Sequence, residues 1–286
     1  MDNNCTAELN TNGFTIFNLL NEVEVSYLQQ LCTKYLPNSN TDFISSSHFL
    51  NEEESNFINQ ELHTLVRPKI QTLFPNLELL GGTLATKNTG RAILKAHRDW
   101  SIVDENMYNS YNLWIPLVHT NKNNGTLGLF PRSHLWAENY RGLNIPSVEE
   151  HTDKIIQYGL EPNLKAGDAI LYNHKLIHFS KPNTTKIPRN VAIIGMKDKN
   201  ATLQVSFSTD NINIETYEVS QNDFYNFDVE KIRQTRKLLH KRKMNSTRLS
   251  SKELIQKIKD NLVPEFSEFV PKRESFFSKL LQKLRF

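Results

Sequence analysis

The chain has 286 residues and a mass of 33.2 kDa, and 38% of its residues are hydrophobic and 23% charged. This balance is ordinary for a globular protein and excludes collagen-like, coiled-coil and wholly disordered chains. The net charge of +3 conceals an asymmetry. Residues 231–286 hold sixteen Lys and Arg against five Asp and Glu, whereas the rest of the chain holds eighteen against twenty-six, so a basic C-terminal segment follows an acidic body.

No part of the sequence predicts secretion or a membrane span. The apolar runs, such as residues 114–118, are far shorter than the roughly 20 residues that cross a bilayer. The N-terminus has no basic region followed by an apolar stretch, and Cys5 and Cys32 are too few for a disulfide framework. We therefore predict a cytoplasmic protein.

Two helices are predicted in the first third of the chain. Asn21 and Glu24 form a capping pattern in front of apolar residues at helical spacing, which predicts a helix over residues 21–36. A second helix is expected to begin after Asn51 with an acidic first turn, and Pro68 is expected to divide or kink it.

The middle of the chain is typical of a β-sandwich or barrel, because short segments rich in β-forming residues alternate with turn residues. The predicted strands are 78–86, 91–98, 111–118, 127–130, 168–172, 176–180, 189–197, 202–208 and 213–218. Turns are expected at 123–125 and 166–168. After Asp223 the pattern returns to helix. We divide the chain into a mostly β domain with N-terminal helices, residues 1–222, and a basic helical C-terminal extension, residues 223–286.

His97, Asp99 and His178 form the candidate metal site. The two-residue period of a strand places His97 and Asp99 on one face, and His178 alternates with apolar residues in a later strand. Two histidines and one carboxylate with open coordination positions form the facial triad of non-haem Fe(II) chemistry. His174 lies four residues before His178, and we expect it to meet solvent or substrate rather than metal.

Arg189 and Ser180 are the candidate residues for an anionic cosubstrate. Arg189 begins the strand after His178, where a hairpin would return it to the metal, and a guanidinium binds a carboxylate with two hydrogen bonds. Ser180 lies two residues beyond His178 on the same face and can donate its hydroxyl to the same carboxylate.

Over roughly residues 80–220 the sequence resembles the phytanoyl-CoA dioxygenase family of Fe(II)- and 2-oxoglutarate-dependent oxygenases. The resemblance rests on ordered motifs, which are His97-x-Asp99, residues 112–117 (Asn-Leu-Trp-Ile-Pro-Leu), residues 124–127 leading into 130–134 (Phe-Pro-Arg-Ser-His), residues 167–171, and His178-x-Ser180 with Arg189. Several motifs in the family's order are far more specific than any one of them.

The resemblance implies a double-stranded β-helix, a jelly-roll fold of the cupin type. It implies Fe(II) held by His97, Asp99 and His178, with 2-oxoglutarate and O2 as cosubstrates. Arg189 and Ser180 would hold the 2-oxoglutarate, and Trp114 would line its pocket. Related halogenating oxygenases replace the carboxylate ligand by a small residue, so the presence of Asp99 favours hydroxylation.

The sequence also departs from the family pattern near the expected mouth of the site. Arg132 replaces a family glycine before Ser133, and Lys95 shares the face of His97. Lys95, Arg132 and His134 are candidate substrate contacts, while a strand-edge lysine and solvent-exposed side chains remain the alternatives.

The predicted function is hydroxylation of an unactivated C–H bond in a small-molecule, lipid-like or carrier-tethered metabolite, with release of succinate and CO2. The alternative is a catalytically inactive β-helix that binds a ligand or partner through its basic tail. Residues 275–286 form an amphipathic basic helical pattern, suited to an anionic membrane surface, an acidic carrier protein or packing on the body or a second subunit. Residues 231–243 lack the interleaved aromatics of a single-strand binder, which disfavours nucleic acid. The oligomeric state is left open.

Overall fold

The computed structural model describes residues 3–36, 41–244 and 249–261. Within them the helices are α1 (Asn3–Asn12), α2 (Glu22–Tyr35), α3 (Ser46–Phe49), α4 (Glu52–Leu73), α5 (Thr152–Ile155), α6 (Gln221–Tyr225), α7 (Val229–Thr235) and α8 (Ser251–Asp260). The strands are β1 (Phe14–Asn18), β2 (Phe43–Ser45), β3 (Leu77–Lys87), β4 (Leu94–His97), β5 (Ser110–Pro116), β6 (Gly128–Leu129), β7 (Asp168–Asn173), β8 (His178–Ser180), β9 (Arg189–Asp198), β10 (Gln204–Phe207), β11 (Asn213–Glu218) and β12 (Leu238–Lys243).

The two predicted N-terminal helices begin where their caps indicate. Asn21 accepts a hydrogen bond from the backbone N–H of Glu24 at 3.0 Å, and the Glu24 carboxylate accepts one from the N–H of Asn21 at 2.9 Å. Asn51 caps α4 with one such bond, which its side chain accepts from the N–H of Glu54 at 2.9 Å. Pro68 lies inside α4 and does not divide the helix, so of the two expected effects only a kink stays a prediction. Buried apolar residues along α4 hold the helix against the sheet, and this packing outweighs the lost backbone hydrogen bond.

Every predicted strand between residues 78 and 218 is present, with ends shifted by a few residues. The largest sheet has six antiparallel strands in the order β1-β7-β5-β9-β3-β2. Its edge strands β1 and β2 were not predicted, because both lie in short segments between helical patterns.

The two faces of the six-stranded sheet contact different parts of the core. Leu113 and Leu171 point to one face, where they pack with α2 and α4. Their neighbours Trp114 and Ile170 point to the other face, towards Leu129 of the smaller sheet. This alternation follows from the two-residue period of a strand, and it places the helices on one side of the sheet and the candidate site on the other.

A three-stranded sheet in the order β4-β8-β6 lies opposite the second face. Ala96, Ile177 and Phe179 point outwards into an apolar cluster, so the alternating residues His97 and His178 point inwards between the sheets. The predicted mostly β core with flanking helices is confirmed, and the antiparallel sheets form the two layers of the predicted double-stranded β-helix. No helix among the described residues is long and apolar enough to cross a membrane. The cytoplasmic localisation stays a prediction.

The C-terminal extension contains a strand as well as helices. The prediction of helix throughout residues 223–286 is wrong at β12, which pairs with β11 in a third sheet of order β10-β11-β12. Glu215 on β11 binds Arg233 at 3.2 Å and Lys241 at 2.9 Å. Glu215 is buried, and these cations compensate its charge. Part of the basic charge of the extension is therefore used inside the protein.

Helix α8 packs on the outer face of the three-stranded sheet. Leu254 and Ile258 are buried in the same cluster as Phe130 and Phe179. Cations of the extension also lie over aromatic rings of the segment that connects β6 and β7, in the pairs Arg242 and Tyr140, Lys257 and Trp136, and Lys259 and Tyr158. The amphipathic pattern at 275–286 lies outside the described residues, and the domain boundary at 222 stays a prediction.

The Leu254→Ala substitution tests whether α8 is part of the core. Leu254 is fully buried, so we expect the substitution to lower the free energy of unfolding by about 2–5 kcal/mol, measured by urea denaturation. Lys252→Ala on the exposed side of the same helix is the control and is expected to change it by less than about 0.5 kcal/mol. A similar small effect for Leu254→Ala would show that α8 does not contribute to the folded core.

Candidate active site

His97 and His178 face each other across the pairing of β4 and β8, where they are direct register partners. Their ring centroids lie 4.2 Å apart. His97 donates its Nδ1–H to the carbonyl of Lys95 at 2.7 Å, and His178 donates its Nδ1–H to the carbonyl of Leu176 at 3.0 Å. A neutral imidazole whose Nδ1 carries the proton has its lone pair on Nε2, so both rings present Nε2 to the space between the sheets.

Asp99 follows the end of β4 and completes the cluster. Its Oδ1 lies 4.0 Å from Nε2 of His97 and 3.8 Å from Nε2 of His178. Its other carboxylate oxygen, Oδ2, accepts a hydrogen bond from the Asn112 side chain at 3.0 Å. Asn112 therefore occupies one oxygen and leaves Oδ1 directed at the two histidines.

The protonation states of the cluster suit a metal site. Burial lowers the pKa of His178 to about 4, with the nearby His97 acting in the same direction. Burial by itself would raise the pKa of Asp99, but His178, His174 and His97 and the hydrogen bond from Asn112 bring it below its usual value. At neutral pH the cluster therefore offers a neutral imidazole at His178 and an ionised carboxylate at Asp99.

The donor set fits a divalent transition metal. One donor atom from each of His97, Asp99 and His178 lies within 4.8 Å of the others, and both ring Nδ1 atoms are fixed by backbone carbonyls, as is usual for metal-binding histidines. The structure thus brings together the three residues that the sequence singled out. Two imidazoles and one carboxylate on one side are the ligand set that non-haem iron prefers.

His174 lies outside the metal cluster, as expected, but it is buried rather than exposed to solvent, and its contact with substrate stays a prediction. It is 4% exposed, and its Nδ1 lies 3.0 Å from the hydroxyl of Ser110. Its backbone carbonyl accepts a hydrogen bond from the N–H of Asp99 at 3.1 Å. His174 belongs to the tight turn between β7 and β8, where strand alternation no longer applies, and burial lowers its pKa.

Arg189 and Ser180 lie together in a buried polar cluster beyond His178. Arg189 is 3% exposed and Ser180 is 2% exposed. The Arg189 guanidinium donates to the carbonyl of Gly125 and, at 3.3 Å, to the hydroxyl of Ser180. Gly125 has a φ of +71°, and a Cβ there would lie 2.3 Å from the carbonyl oxygen of Lys181. This position therefore requires glycine at the predicted turn.

Lys87 is a second buried cation in this cluster, and no pattern in the sequence had indicated it. It ends β3 as the register partner of Arg189 on β9. Its Nζ donates to the Ser180 hydroxyl at 3.0 Å, and its remaining bonds go to backbone carbonyls of Ser180 and Lys181. Burial, with the charge of Arg189, lowers the pKa of Lys87 to about 7.

Neither cation has a carboxylate partner at salt-bridge distance among the described residues. Two like charges buried side by side are unfavourable, so the cluster formed by Lys87, Ser180 and Arg189 has the chemistry of an anion site. The Asp42 carboxylate, which lies beyond salt-bridge distance, acts in the opposite direction and raises the pKa of Lys87. Burial also lowers the pKa of Arg189 to about 10. The Trp114 ring lies 5.4 Å from the Arg189 guanidinium, so the predicted aromatic wall is adjacent to the cations.

The three candidate substrate contacts lie in different parts of the structure, and their role in substrate binding stays a prediction. Lys95 is exposed on β4. Arg132 adopts a φ of 65°, a left-handed conformation that favours glycine, which fits the family glycine that it replaces. His134 binds the carbonyl of Asn10 and packs on Gly13. The side chain of none of them hydrogen-bonds to His97, Asp99 or His178.

Comparison with known proteins links this chain to one family. The family model described as phytanoyl-CoA dioxygenase (PhyH) matches residues 41–191, just over half of the chain. No curated protein sequence matches the chain.

Solved structures share the fold at low sequence identity. The epimerase SnoN in complex with Fe3+, alpha ketoglutarate and nogalamycin RO is 16% identical with a TM-score of 0.52, and the match covers 70% of this chain and 84% of SnoN. EvdO2 from Micromonospora carbonacea var. aurantiaca is 18% identical with a TM-score of 0.52, over 69% of this chain and 91% of EvdO2. HygX from Streptomyces hygroscopicus, with nickel, 2-oxoglutarate and hygromycin B bound, is 13% identical with a TM-score of 0.51, over 70% and 88%.

Metal binding is the first test of the cluster. We expect metal-free protein to bind Co(II) in calorimetric titrations, and His178→Ala to weaken that binding by at least about 100-fold, because one of three ligands is lost. His119→Ala removes an exposed histidine remote from the cluster and is expected to leave the affinity unchanged. Equal affinities for the two variants would exclude His178 as a ligand.

The lowered pKa of Lys87 predicts a pH dependence of stability. Between pH 7 and the ordinary value of 10.5 the unfolded chain binds a proton at this side chain that the folded protein does not. The free energy of unfolding should therefore rise with pH across this window. Urea denaturation at pH 7 and pH 9 is expected to show the rise in the wild type and a smaller rise in Lys87→Met. The same rise in both proteins would show that Lys87 does not titrate there.

Proposed function

Because the chain belongs to the phytanoyl-CoA dioxygenase family, we propose that it is an Fe(II)- and 2-oxoglutarate-dependent dioxygenase. The observation that carries the proposal is the position of two buried basic side chains without a carboxylate at salt-bridge distance, Lys87 and Arg189, beside a cluster of two imidazoles and one carboxylate. A metal ion would balance the charge of the Asp99 carboxylate, and a dicarboxylate would balance the charges of Lys87 and Arg189. The relatives crystallised with Fe3+, nickel and 2-oxoglutarate have the same fold and support this assignment.

The distal carboxylate of 2-oxoglutarate is the anion that this cluster fits. The strand rise of about 3.3 Å per residue places Ser180 roughly 7 Å along β8 from His178, a separation that a five-carbon dicarboxylate can span. Arg189 would bind the carboxylate with its guanidinium, Lys87 would add an ammonium, and Ser180 would donate its hydroxyl. Lys87 is in this way a cosubstrate residue that complements the predicted Arg189 and Ser180.

His97, Asp99 and His178 would hold the iron on one side and leave its other positions free for 2-oxoglutarate and O2. When bound, Fe(II) supplies the redox chemistry that couples O2 and 2-oxoglutarate to substrate oxidation, with release of succinate and CO2. The buried apolar side chains of Leu127, Leu129 and Val191 belong to the cluster around Trp114 between the sheets. They exclude water from the anion site and strengthen its electrostatic interactions.

We assign hydroxylation of an unactivated C–H bond as the reaction, because the carboxylate ligand Asp99 is present. Similar structures include an epimerase and a carbocyclase, so the same apparatus supports other outcomes at the substrate carbon. The outcome after the first C–H cleavage depends on how the substrate is held. The complete set of candidate ligands favours this enzyme over a catalytically inactive binding protein.

The substrate is proposed to be a small molecule, and a candidate cavity for it is lined by the chain neighbours of Asp99 but by none of His97, Asp99 and His178. This cavity has a volume of about 330 Å³, within the range of small-molecule sites. Arg98 and Trp100, the chain neighbours of Asp99, line it together with residues 136, 138 and 140–151 of the segment between β6 and β7. Its wall combines aromatic, cationic and acidic groups, which suits a metabolite with both apolar and polar parts, including a lipid-like or carrier-tethered one.

An anionic membrane or an acidic carrier protein stays a proposal for the basic extension. Arg233, Lys241 and Arg236 bind carboxylates of the protein itself. Such a partner would therefore meet the remaining exposed cations, such as Lys243 and Lys252.

Cosubstrate binding is tested by anaerobic titration of the Fe(II)-loaded protein with 2-oxoglutarate, followed by the visible charge-transfer band of the chelated keto acid. We expect the band in the wild type, its absence in His178→Ala, and binding weakened about 10- to 100-fold in Arg189→Ala and Lys87→Met, since each loses a charged hydrogen bond.

Lys197→Met is the matched control for this titration. Lys197 is also a buried cation on β9, but it binds Glu78 at 2.7 Å, so its loss should leave 2-oxoglutarate affinity unchanged. A folded, metal-loaded wild type that gives no band and forms no succinate would contradict the proposed function.

A further inference from the structure

A buried ion pair lies directly behind the carboxylate ligand candidate. Glu105 and Arg141 are 7% and 8% exposed, and they form two hydrogen bonds, from Nη1 to Oε2 at 2.6 Å and from Nη2 to Oε1 at 2.7 Å. Neither residue belongs to the metal cluster or to the anion cluster. Glu105 lies in the loop after Asp99, and Arg141 lies in the long segment between β6 and β7.

Arg141 links this ion pair to Asp99. Its Nε donates to the backbone carbonyl of Asp99 at 2.8 Å. The Ser101 N–H donates to the carbonyl of Arg141 at 3.1 Å, and the N–H of Arg141 donates to the Ser101 hydroxyl at 3.0 Å. The backbone that carries Asp99 is thus hydrogen-bonded on both sides of residue 100 to a single residue more than forty positions away in the chain.

The backbone of Asp99 needs hydrogen bonds from other segments because Asp99 lies in a loop. His97 ends β4, and Asp99 lies beyond the last residue of that strand. Loop contacts therefore hold its backbone, which are the bond from its N–H to the His174 carbonyl at 3.1 Å and the bond from Arg141 to its own carbonyl. Metal affinity depends on how firmly the ligands are oriented before the metal binds. A buried ion pair is costly to form and contributes little to stability compared with apolar side chains of equal size.

We propose that Glu105 and Arg141 are positioning residues that fix the backbone of Asp99, so that its Oδ1 meets the metal. This inference rests on the proposed metal site. The guanidinium fork is oriented by Glu105, and its Nε holds the Asp99 carbonyl, while Asn112 fixes the side chain through Oδ2. Together they restrain both ends of the ligand residue, its main chain and its carboxylate.

Arg141 also lies between two functional regions. It lines the proposed substrate cavity and donates a hydrogen bond to the backbone carbonyl of Asp99. Arg141 therefore connects the segment that forms the cavity wall to the loop that carries Asp99.

The test measures Co(II) affinity of metal-free protein by calorimetry and the visible spectrum of the Co(II)-loaded protein, in the wild type, Arg141→Lys and Glu105→Gln. A lysine keeps the charge opposite Glu105, but its single nitrogen cannot reproduce the fork and the bond to the Asp99 carbonyl. We expect Arg141→Lys to weaken Co(II) binding about 10- to 100-fold and to change the spectrum, and Glu105→Gln to lie between it and the wild type.

Lys69→Met controls for a loss of stability alone. Lys69 is a buried cation that binds the Glu24 carboxylate at 2.6 Å and the Leu19 carbonyl at 3.1 Å, the same types of partner as Arg141 has, but in the helical layer. The Lys69→Met substitution should lower the melting temperature and leave Co(II) affinity within about twofold of the wild type.

Three outcomes would overturn the positioning role. Folded Arg141→Lys and Glu105→Gln variants with wild-type affinity and spectrum would show that the ion pair does not act on Asp99. Equal weakening in Lys69→Met would show a general effect of stability. A wild type that binds no Co(II) would overturn the proposed metal site and this inference with it, whereas metal binding without the 2-oxoglutarate band would count only against the proposed activity.

Discussion

The pairing of β4 with β8 is the constraint on which the site depends. His97 and His178 are direct partners in this pairing, and their chain neighbours Ala96, Ile177 and Phe179 lie in the apolar cluster beneath α8. A register shift of one residue would send these apolar side chains into the site and the histidines into the cluster. Burial of the outer face thus maintains the positions of the two histidines on the inner face.

The polar groups between the sheets are concentrated in two adjoining clusters, and each lacks a charge that a ligand would supply. Lys87 and Arg189 have no carboxylate partner at salt-bridge distance among the described residues, and the Nε2 atoms of His97 and His178 lie 4.0 and 3.8 Å from Oδ1 of Asp99. Keeping such groups buried costs folding free energy. A metal ion and a dicarboxylate would relieve that cost on binding, so both should stabilise the folded state.

The basic C-terminal extension contributes to the same region from outside. Its helix α8 covers the three-stranded sheet, and Arg242, Lys257 and Lys259 lie over aromatic rings between β6 and β7. That segment also holds Arg141, which contacts the backbone of Asp99. Part of the basic charge of the extension therefore contacts other parts of the protein. These contacts link the extension to the wall of the proposed substrate cavity.

The sequence by itself determined the features that local patterns encode. The cap at Asn21, the strands of the β core, and the shared face of His97 and Asp99 all result from short-range hydrogen bonds and from the period of a strand. The placement of Arg189 beside Ser180 was expected from a hairpin. Each of these depends on residues close together in the chain or on one face of an element.

Only the tertiary structure decided what depends on distant pairing. Lys87 joins Arg189 because β3 and β9 align in one register, and Arg141 reaches Asp99 because two loops meet. The continuous α4 through Pro68 and the strand β12 result from packing and ion pairs that outweigh local propensity. Such contacts leave no periodic signal in the sequence, since the energy that selects them comes from residues far away in the chain.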